Sequence, residues 1–259
     1  HEMYIMGTTS FKPPYNSTLF EMYSPTSGKM TSAPSLLNPE YSIEEEIGYR
    51  FNNSFMSADV SFFNYNFTNR QLTLNTYYDG GLMPMTMNVG GQTSRGVDVK
   101  IGTRPIFGYF RPYAGFEYLH TTLDNDIVQN GIRLPTKGKN AIMAPKVQAA
   151  LGVDWDNGSL FIDANLKYVG KQYSTLMNDE SLQDYVTNNV SVGYRFHKIG
   201  FLVSPKILVN VQNMTNTHYR TGVFSFTTNA HAYNGLAGSA PTYYLMPGAT
   251  ASVSLSAGF

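Results

Sequence analysis

A chain of 259 residues with 18 basic and 18 acidic side chains carries no net formal charge, so nothing electrostatic points to nucleic acid as a partner. Charged residues are 14% of the chain, against roughly 25% in ordinary globular proteins, and aromatics are another 14%. The absence of cysteine excludes a disulfide framework and thiolate metal sites, and no apolar run approaches the ~20 residues of a spanning helix, a test that strands escape because they are short and half apolar.

The predicted elements are all strands, because apolar residues recur at every second position and helical spacing is hard to find. A first strand is expected before Phe11. Ile43, Ile47, Tyr49 and Phe51 then alternate with Ser42, Glu44, Glu46, Gly48 and Arg50, Glu45 being the one charge on the apolar side. Asn52-Asn53 reads as a tight turn into Met56, Ala58, Val60 and Phe62. Val97, Val99 and Ile101 oppose Gly96, Asp98 and Lys100. The stripe Val147, Ala149, Leu151, Val153 and Trp155 leads into Asp156-Asn157-Gly158, a strong hairpin signal, and Leu160, Ile162, Ala164, Leu166 and Tyr168 return from it, with Asp163 and Lys167 on the polar side. Val186, Val190, Val192, Tyr194 and Phe196 form a further stripe opposite Arg195, and Ile207, Val209 and Val211 another. The chain closes on Ala249, Ala251, Val253, Leu255, Ala257 and Phe259, alternating with Thr and Ser. Alternation alone leaves open whether the apolar faces meet a core or lipid.

The connections favour lipid. Short links fall near 52–54, 105–108, 156–158 and 197–203, and long ones near 11–40, 70–85, 123–144, 174–184 and 215–244. Short turns at one rim and long loops at the other are the asymmetry of an outer-membrane barrel, and the links divide the chain into about ten strands with both termini at the short-turn rim. Tyr49, Phe51, Tyr168, Tyr194 and Phe196 lie near strand ends, where aromatic girdles belong. The start, His1-Glu2-Met3-Tyr4-Ile5-Met6, lacks the charged and apolar regions of an export signal, so a mature form or a fragment is expected, a fragment above all.

Ordered motifs add a resemblance. Ser10-Phe11-Lys12-Pro13-Pro14, Leu37-Asn38-Pro39-Glu40-Tyr41-Ser42 running on to Glu46-Ile47-Gly48-Tyr49-Arg50, Asn88-Val89-Gly90-Gly91 followed by Ser94-Arg95-Gly96-Val97-Asp98, and Val211-Gln212-Asn213-Met214-Thr215-Asn216-Thr217-His218-Tyr219 succeed one another as in the C-terminal part of the barrel of TonB-dependent outer-membrane receptors. From end to end, residues 1–259 resemble that portion. The usual acid after Arg-Gly-Val is Glu, and Asp98 replaces it here. The resemblance implies an all-β, antiparallel transmembrane barrel of the Gram-negative outer membrane, with about ten strands present of a ~22-strand, plugged class. It implies membrane lipid as surroundings, the barrel-assembly machinery as reader of Phe259, and TonB as partner through a plug absent from this chain. It also implies a scarce nutrient such as a ferric siderophore as ligand, and a receptor rather than an enzyme.

No catalytic or metal constellation stands out, and no cofactor is expected: His1, His120, His197, His218 and His231 lack metal spacing, and Met83, Met85 and Met87 read as one apolar strand face rather than a soft-metal site. In the long loops, Tyr77, Tyr78, Tyr173, Tyr219, Phe224, Phe226 and Tyr233, with His231, are the candidate ligand-binding residues, since rigid amphipathic rings suit capture of a bulky ligand. The same rings could equally pack the loops. Asn213, Asn216 and Tyr219 are expected to shape the last connection. Two alternatives stay open: a stand-alone ten-strand barrel (porin-like, or a protease activating water with Asp124, Asp126, Asp179, Asp184, His218 or His231), and a soluble all-β binding protein.

Overall fold

The computed structural model describes residues 1–14, 22–24, 28–31, 37–78, 81–129 and 131–259. Ten strands form one antiparallel sheet: β1 Glu2–Lys12, β2 Glu40–Asn52, β3 Met56–Thr68, β4 Gln92–Thr103, β5 Phe110–Leu123, β6 Val147–Asp156, β7 Leu160–Val169, β8 Tyr185–Arg195, β9 Val203–Gln212 and β10 Thr250–Gly258. Each pairs with its sequence neighbours, so the wall is a meander with β1 and β10 as its edges, and it is not closed. Connections 53–55, 104–109, 157–159 and 196–202 are short, while 13–39, 69–91, 124–146, 170–184 and 213–249 are long and lie at the opposite rim. Turn chemistry explains the short ones. The Asn53 Oδ1 accepts from the amides of Phe55 and Met56, the Asn157 Oδ1 from those of Ser159 and Leu160, and Gly158 takes a positive φ of 96°.

The register is steeply staggered. From Glu2, the first residue of β1, the paired positions run through Arg50, Asp59, Lys100, Gly115, Ala150 and Lys167 to Thr187, close to the long-loop end of β8. A row that climbs from one rim to the other means strands tilted against the axis of a curved wall, the geometry of a barrel. Rings settle the inner face. Tyr4 pairs with Gly48, Phe63 with Gly96, Tyr113 with Gly152 and Phe161 with Gly193, and a Cβ on any of these glycines would overlap the ring lying over it. Each odd strand from β1 to β7 thus lays a ring on the glycine of the next strand, an aromatic cover for a residue with no side chain of its own.

Apart from Leu123 and Val169, at the long-loop ends of β5 and β7, the buried apolar residues lie outside the wall strands. Ile5, Ile47, Phe62, Leu151, Val253 and Leu255 all stand exposed on the outward face, whereas Leu74, Val89, Leu123, Ile127 and Leu176 form a buried cluster among the long loops, joined by Leu72, Met87, Ile142 and Phe226. A Cβ on Gly96 would also run into the backbone carbonyl of Tyr118, which cannot swing away. Gly96→Ala should therefore destabilise the folded wall by about 1–3 kcal/mol through overpacking. Gly115→Ala, whose nearest neighbour is the Val99 carbonyl at 3.9 Å, should stay within about 0.5 kcal/mol. Urea midpoints of the purified protein in detergent would compare the two, and equal midpoints would remove the ring-on-glycine account.

Candidate functional site: a loop cap beside a charged lumen

Alternation puts the polar side chains of the wall on its concave face, and the stagger brings opposite charges together across strands. The Arg50 Nε donates to the Asp59 carboxylate at 2.8 Å, with Glu2 at 3.8 Å, and its guanidinium lies 4.4 Å from the Tyr4 ring centre. Within β4, Lys100 meets Asp98 at 2.6 Å, two residues along the same face. Arg195 holds Asp156 through both terminal nitrogens, at 2.8 and 3.0 Å, and stacks on Phe161 at 4.2 Å. The Glu46 carboxylate accepts from the hydroxyls of Tyr4, at 2.6 Å, and Tyr65, at 3.3 Å. Glu44, Asp163 and Lys167 share the same face. Tyr4, Glu46, Arg50, Asp59, Lys100 and Glu117 help to line a concavity of ≈ 570 Å³. Pairs in such a wet setting are each worth about 0–1 kcal/mol, so they organise the surface more than they stabilise it.

Among the described residues, four of the long connections (69–91, 124–146, 170–184 and 213–249) interlock as a cap. Segment 213–249 inserts between two others: the Asn75 amide donates to the Phe226 carbonyl at 2.7 Å, while the amides of Leu176 and Met177 donate to the carbonyls of Thr227, at 3.3 Å, and Thr228, at 3.0 Å. The Met143 amide donates to the Tyr173 carbonyl at 3.0 Å, and the Asn178 side chain accepts from the Asn140 amide at 2.7 Å. Asp179 is the clasp. Its carboxylate accepts from the Thr175 hydroxyl at 2.6 Å and from the amides of Ala230, at 2.9 Å, and His231, at 3.0 Å. Asn213 closes the base of the loop by donating to the carbonyls of Thr217 and Pro247, and Asn216 accepts from the Ala249 amide.

The candidate ligand residues divide. Phe226 packs on the buried cluster. Tyr219 stacks on Tyr185 with centroids 4.3 Å apart, and its hydroxyl is buried without a partner among the described residues. Tyr173 and Tyr233 are half-buried, Tyr173 with Lys171 over its ring. Phe224 is 68% exposed and Tyr244 54%, edge to face at 5.5 Å. His231 is exposed, its Nδ1 3.5 Å from Asp179. The side chains of Tyr77, Tyr78, Met83 and Met85 lie outside the described residues, although their backbones pair in the ladder of Gln71–Tyr78 with Gly81–Asn88. Phe259 follows the last residue of β10 at the short-turn rim.

Sequence reasoning missed a polar cluster beside Phe224. The Tyr243 hydroxyl reaches Ser174 and Glu180 at 3.2 Å each, and Arg220 stacks on the Tyr243 ring at 4.2 Å. No periodicity could have joined Arg220 to Tyr243, 23 positions on, or Tyr243 to Ser174 and Glu180, more than 60 back. The hydrolytic candidates do not gather: Asp126 pairs with Arg133, Asp184 accepts from Tyr168, and only Asp179 and His231 meet. No group of three potential metal ligands exists among the described residues.

Burial pushes the Asp179 carboxyl up, but the Thr175 hydroxyl and the amides of His231 and Ala230 outweigh it and hold the group below its usual range. A depressed native value means that the clasp contributes fully above the unfolded aspartate value of about 3.9 and is lost as pH falls through the lower native value. Asp179→Ala should cost about 1–3 kcal/mol locally by stranding two amides, and should expose segment 228–240 to protease at neutral pH. Cleavage there at the wild-type rate would refute the clasp.

A family model described as "TonB dependent receptor-like, beta-barrel" matches residues 6–214. No curated protein matches the chain in a sequence search. Among solved structures, the ferric yersiniabactin uptake receptor FyuA of Yersinia pestis superposes with a TM-score of 0.67 at 19% identity, over 97% of this chain and 34% of that one. The ferric enterobactin receptor of Pseudomonas aeruginosa, in a mutant form, gives 0.67 at 18% identity, over 99% and 38%. The copper transporter OprC gives 0.69 at 15%, over 98% and 37%. The chain thus spans about a third of the length of the structures it matches. With the tilted, ring-braced wall and its loops sorted to opposite rims, the chain belongs to the TonB-dependent receptor β-barrel family of the Gram-negative outer membrane.

Proposed function

We propose that this chain supplies part of the barrel wall and the outer loops of a TonB-coupled importer for a scarce ligand, of the ferric siderophore class. Residues 1–259 then form the C-terminal portion of a longer barrel, with Phe259 presented to the assembly machinery and with plug and TonB contact supplied by the rest of the protein. The observation that carries the ligand role is the exposed aromatic edge Phe224–Tyr244 on the ladder Arg220–Ser225 with Thr242–Leu245. That ladder is anchored by the loop cap, so its rings are presented without the entropy loss of ordering a mobile loop. Arg220, Glu180 and Tyr243 beside it offer a cation and oxygen donors for the polar rim of a ligand. Tyr173, Tyr233 and His231 border the same loops, and Tyr77 and Tyr78 come from a neighbouring ladder. The ferric ligands named for two of the matched structures, and copper for the third, support metal or metal-chelate cargo as the class.

The test is uptake of radioactive iron as a panel of hydroxamate, catecholate and phenolate chelates, by cells expressing the outer-membrane protein that contains this chain. One chelate should be taken up in a TonB-dependent manner. Phe224→Ala with Tyr244→Ala should weaken its binding about tenfold, the loss of roughly 1.4 kcal/mol expected for two contact rings. Binding of a non-chelate nutrient alone would overturn the ligand class, and unchanged affinity would move the site off this ladder.

A further inference from the structure

The outward face of the wall holds a feature that import does not use. Register aligns Gly7, Glu45, Asn64, Arg95 and His120 in one row across β1 to β5. Strand parity turns all five outward, so Glu45 is not the lone exception on the apolar side. The Asn64 Nδ2 donates to the Glu45 carboxylate at 2.9 Å, and the Arg95 Nε donates to the Asn64 Oδ1 at 3.1 Å. Glu45, Arg95 and His120 are exposed. Among the described residues, the two terminal nitrogens of Arg95 and the His120 ring have no protein partner.

Position says what meets them. The adjacent row toward the short turns is apolar apart from one phenol hydroxyl: Ile5, Ile47, Phe62, Val97 and Tyr118. The adjacent row toward the long loops is polar on β3 to β5: Asn66, Thr93 and Thr122. On these strands the boundary between acyl chains and headgroups therefore falls at Asn64, Arg95 and His120, on the side of the outer leaflet. An arginine on a lipid-facing strand costs about 2–4 kcal/mol at the bilayer midplane and only about 0–1 near the interface, which fits the same depth. Gly7 leaves a groove of ≈ 510 Å³ beside Glu45, floored by Ile5, Ile47 and Phe62.

We propose that this row seats the phosphorylated sugar headgroup of an outer-leaflet glycolipid. Arg95 offers a planar fork of donors matched to a phosphate, and His120 adds a second donor on the neighbouring strand. Asn64 and Asn66 face the sugar hydroxyls, and the groove over Gly7 takes an acyl chain. Glu45 is a positioning residue: by holding the Asn64 amide it fixes the carbonyl that orients Arg95, with the guanidinium terminus turned to lipid. The seat is independent of the cargo imported.

The test uses the outer-membrane protein that contains this chain, extracted and delipidated in mild detergent. Bisphosphorylated lipid A is titrated and bound lipid counted by native mass spectrometry, with phosphatidylglycerol and dephosphorylated lipid A as competitors. One lipid A should bind, neither competitor should displace it at equal concentration, and Arg95→Gln with His120→Gln should weaken it at least tenfold. Should the double variant fail to fold, judged by heat-modifiable gel mobility, Arg95→Lys keeps the charge without the fork and should still weaken binding several-fold. Unchanged binding by a folded variant, or displacement by phosphatidylglycerol, would overturn the proposal. So would a His120→Cys cross-link joining two copies of the protein in the membrane, which would make the row a protein contact.

Discussion

Lipid offers no hydrogen bonds to a backbone, so each wall strand must satisfy its amides and carbonyls on its neighbours. The rest of the structure follows from that constraint. It fixes a continuous antiparallel ladder from β1 to β10, and the ladder fixes the register. Register in turn decides which side chains share a row, and so places Arg50 against Asp59 within the lumen and Arg95 beside Asn64 outside it. The four ring-on-glycine pairs belong to the same logic. A one-residue slip would carry each ring to the lipid face and its glycine away from it, so the pairs hold the register as well as the curvature. At β1 and β10 the constraint is unmet within this sheet, and each edge has the backbone row of a strand that wants a partner.

Water returns at the long-loop rim, and with it the ordinary hydrophobic effect. The buried leucines are there, in loops that pack on one another, while the wall turns its aliphatic residues outward. The proposed ligand role rests on this arrangement. Loops tied by backbone hydrogen bonds between segments, and clasped by Asp179, can present an aromatic edge in a fixed place. The inverted placement also explains why so many charges survive in the lumen: that face is wet, and paired charges there cost little to keep.

The legible elements were those whose two faces differ most. The stripes ending in Phe51, Trp155 and Phe196 and the strand ending in Phe259 could be read residue by residue, and turn asparagines marked the short links. β5 was inferred only as the interval between two links, because its lumen face mixes Tyr113, Gly115 and Leu119 with Arg111 and Glu117, and its outer face ends in His120 and Thr122. The outward polar row was missed apart from Glu45, since Asn64, Arg95 and His120 are single residues in separate strands and meet only through register. In the loops, the rings chosen as ligand candidates by type have different surroundings. Phe226 and Tyr219 pack, while Phe224 stands free beside Tyr244, and nothing in a loop sequence records which side of the chain faces the cap.

By itself, the sequence determined the class of wall, the number of strands, the sorting of loops and the faces of the strands with a clear apolar stripe, because those depend on period-2 alternation and local turn chemistry. Tertiary structure alone decided the stagger between strands, the pairing of charges across them, the braced glycines, the threading of segment 213–249 through its neighbours and the Asp179 clasp. Those features join residues tens of positions apart, and a single chain without register does not specify which strand neighbour stands opposite which.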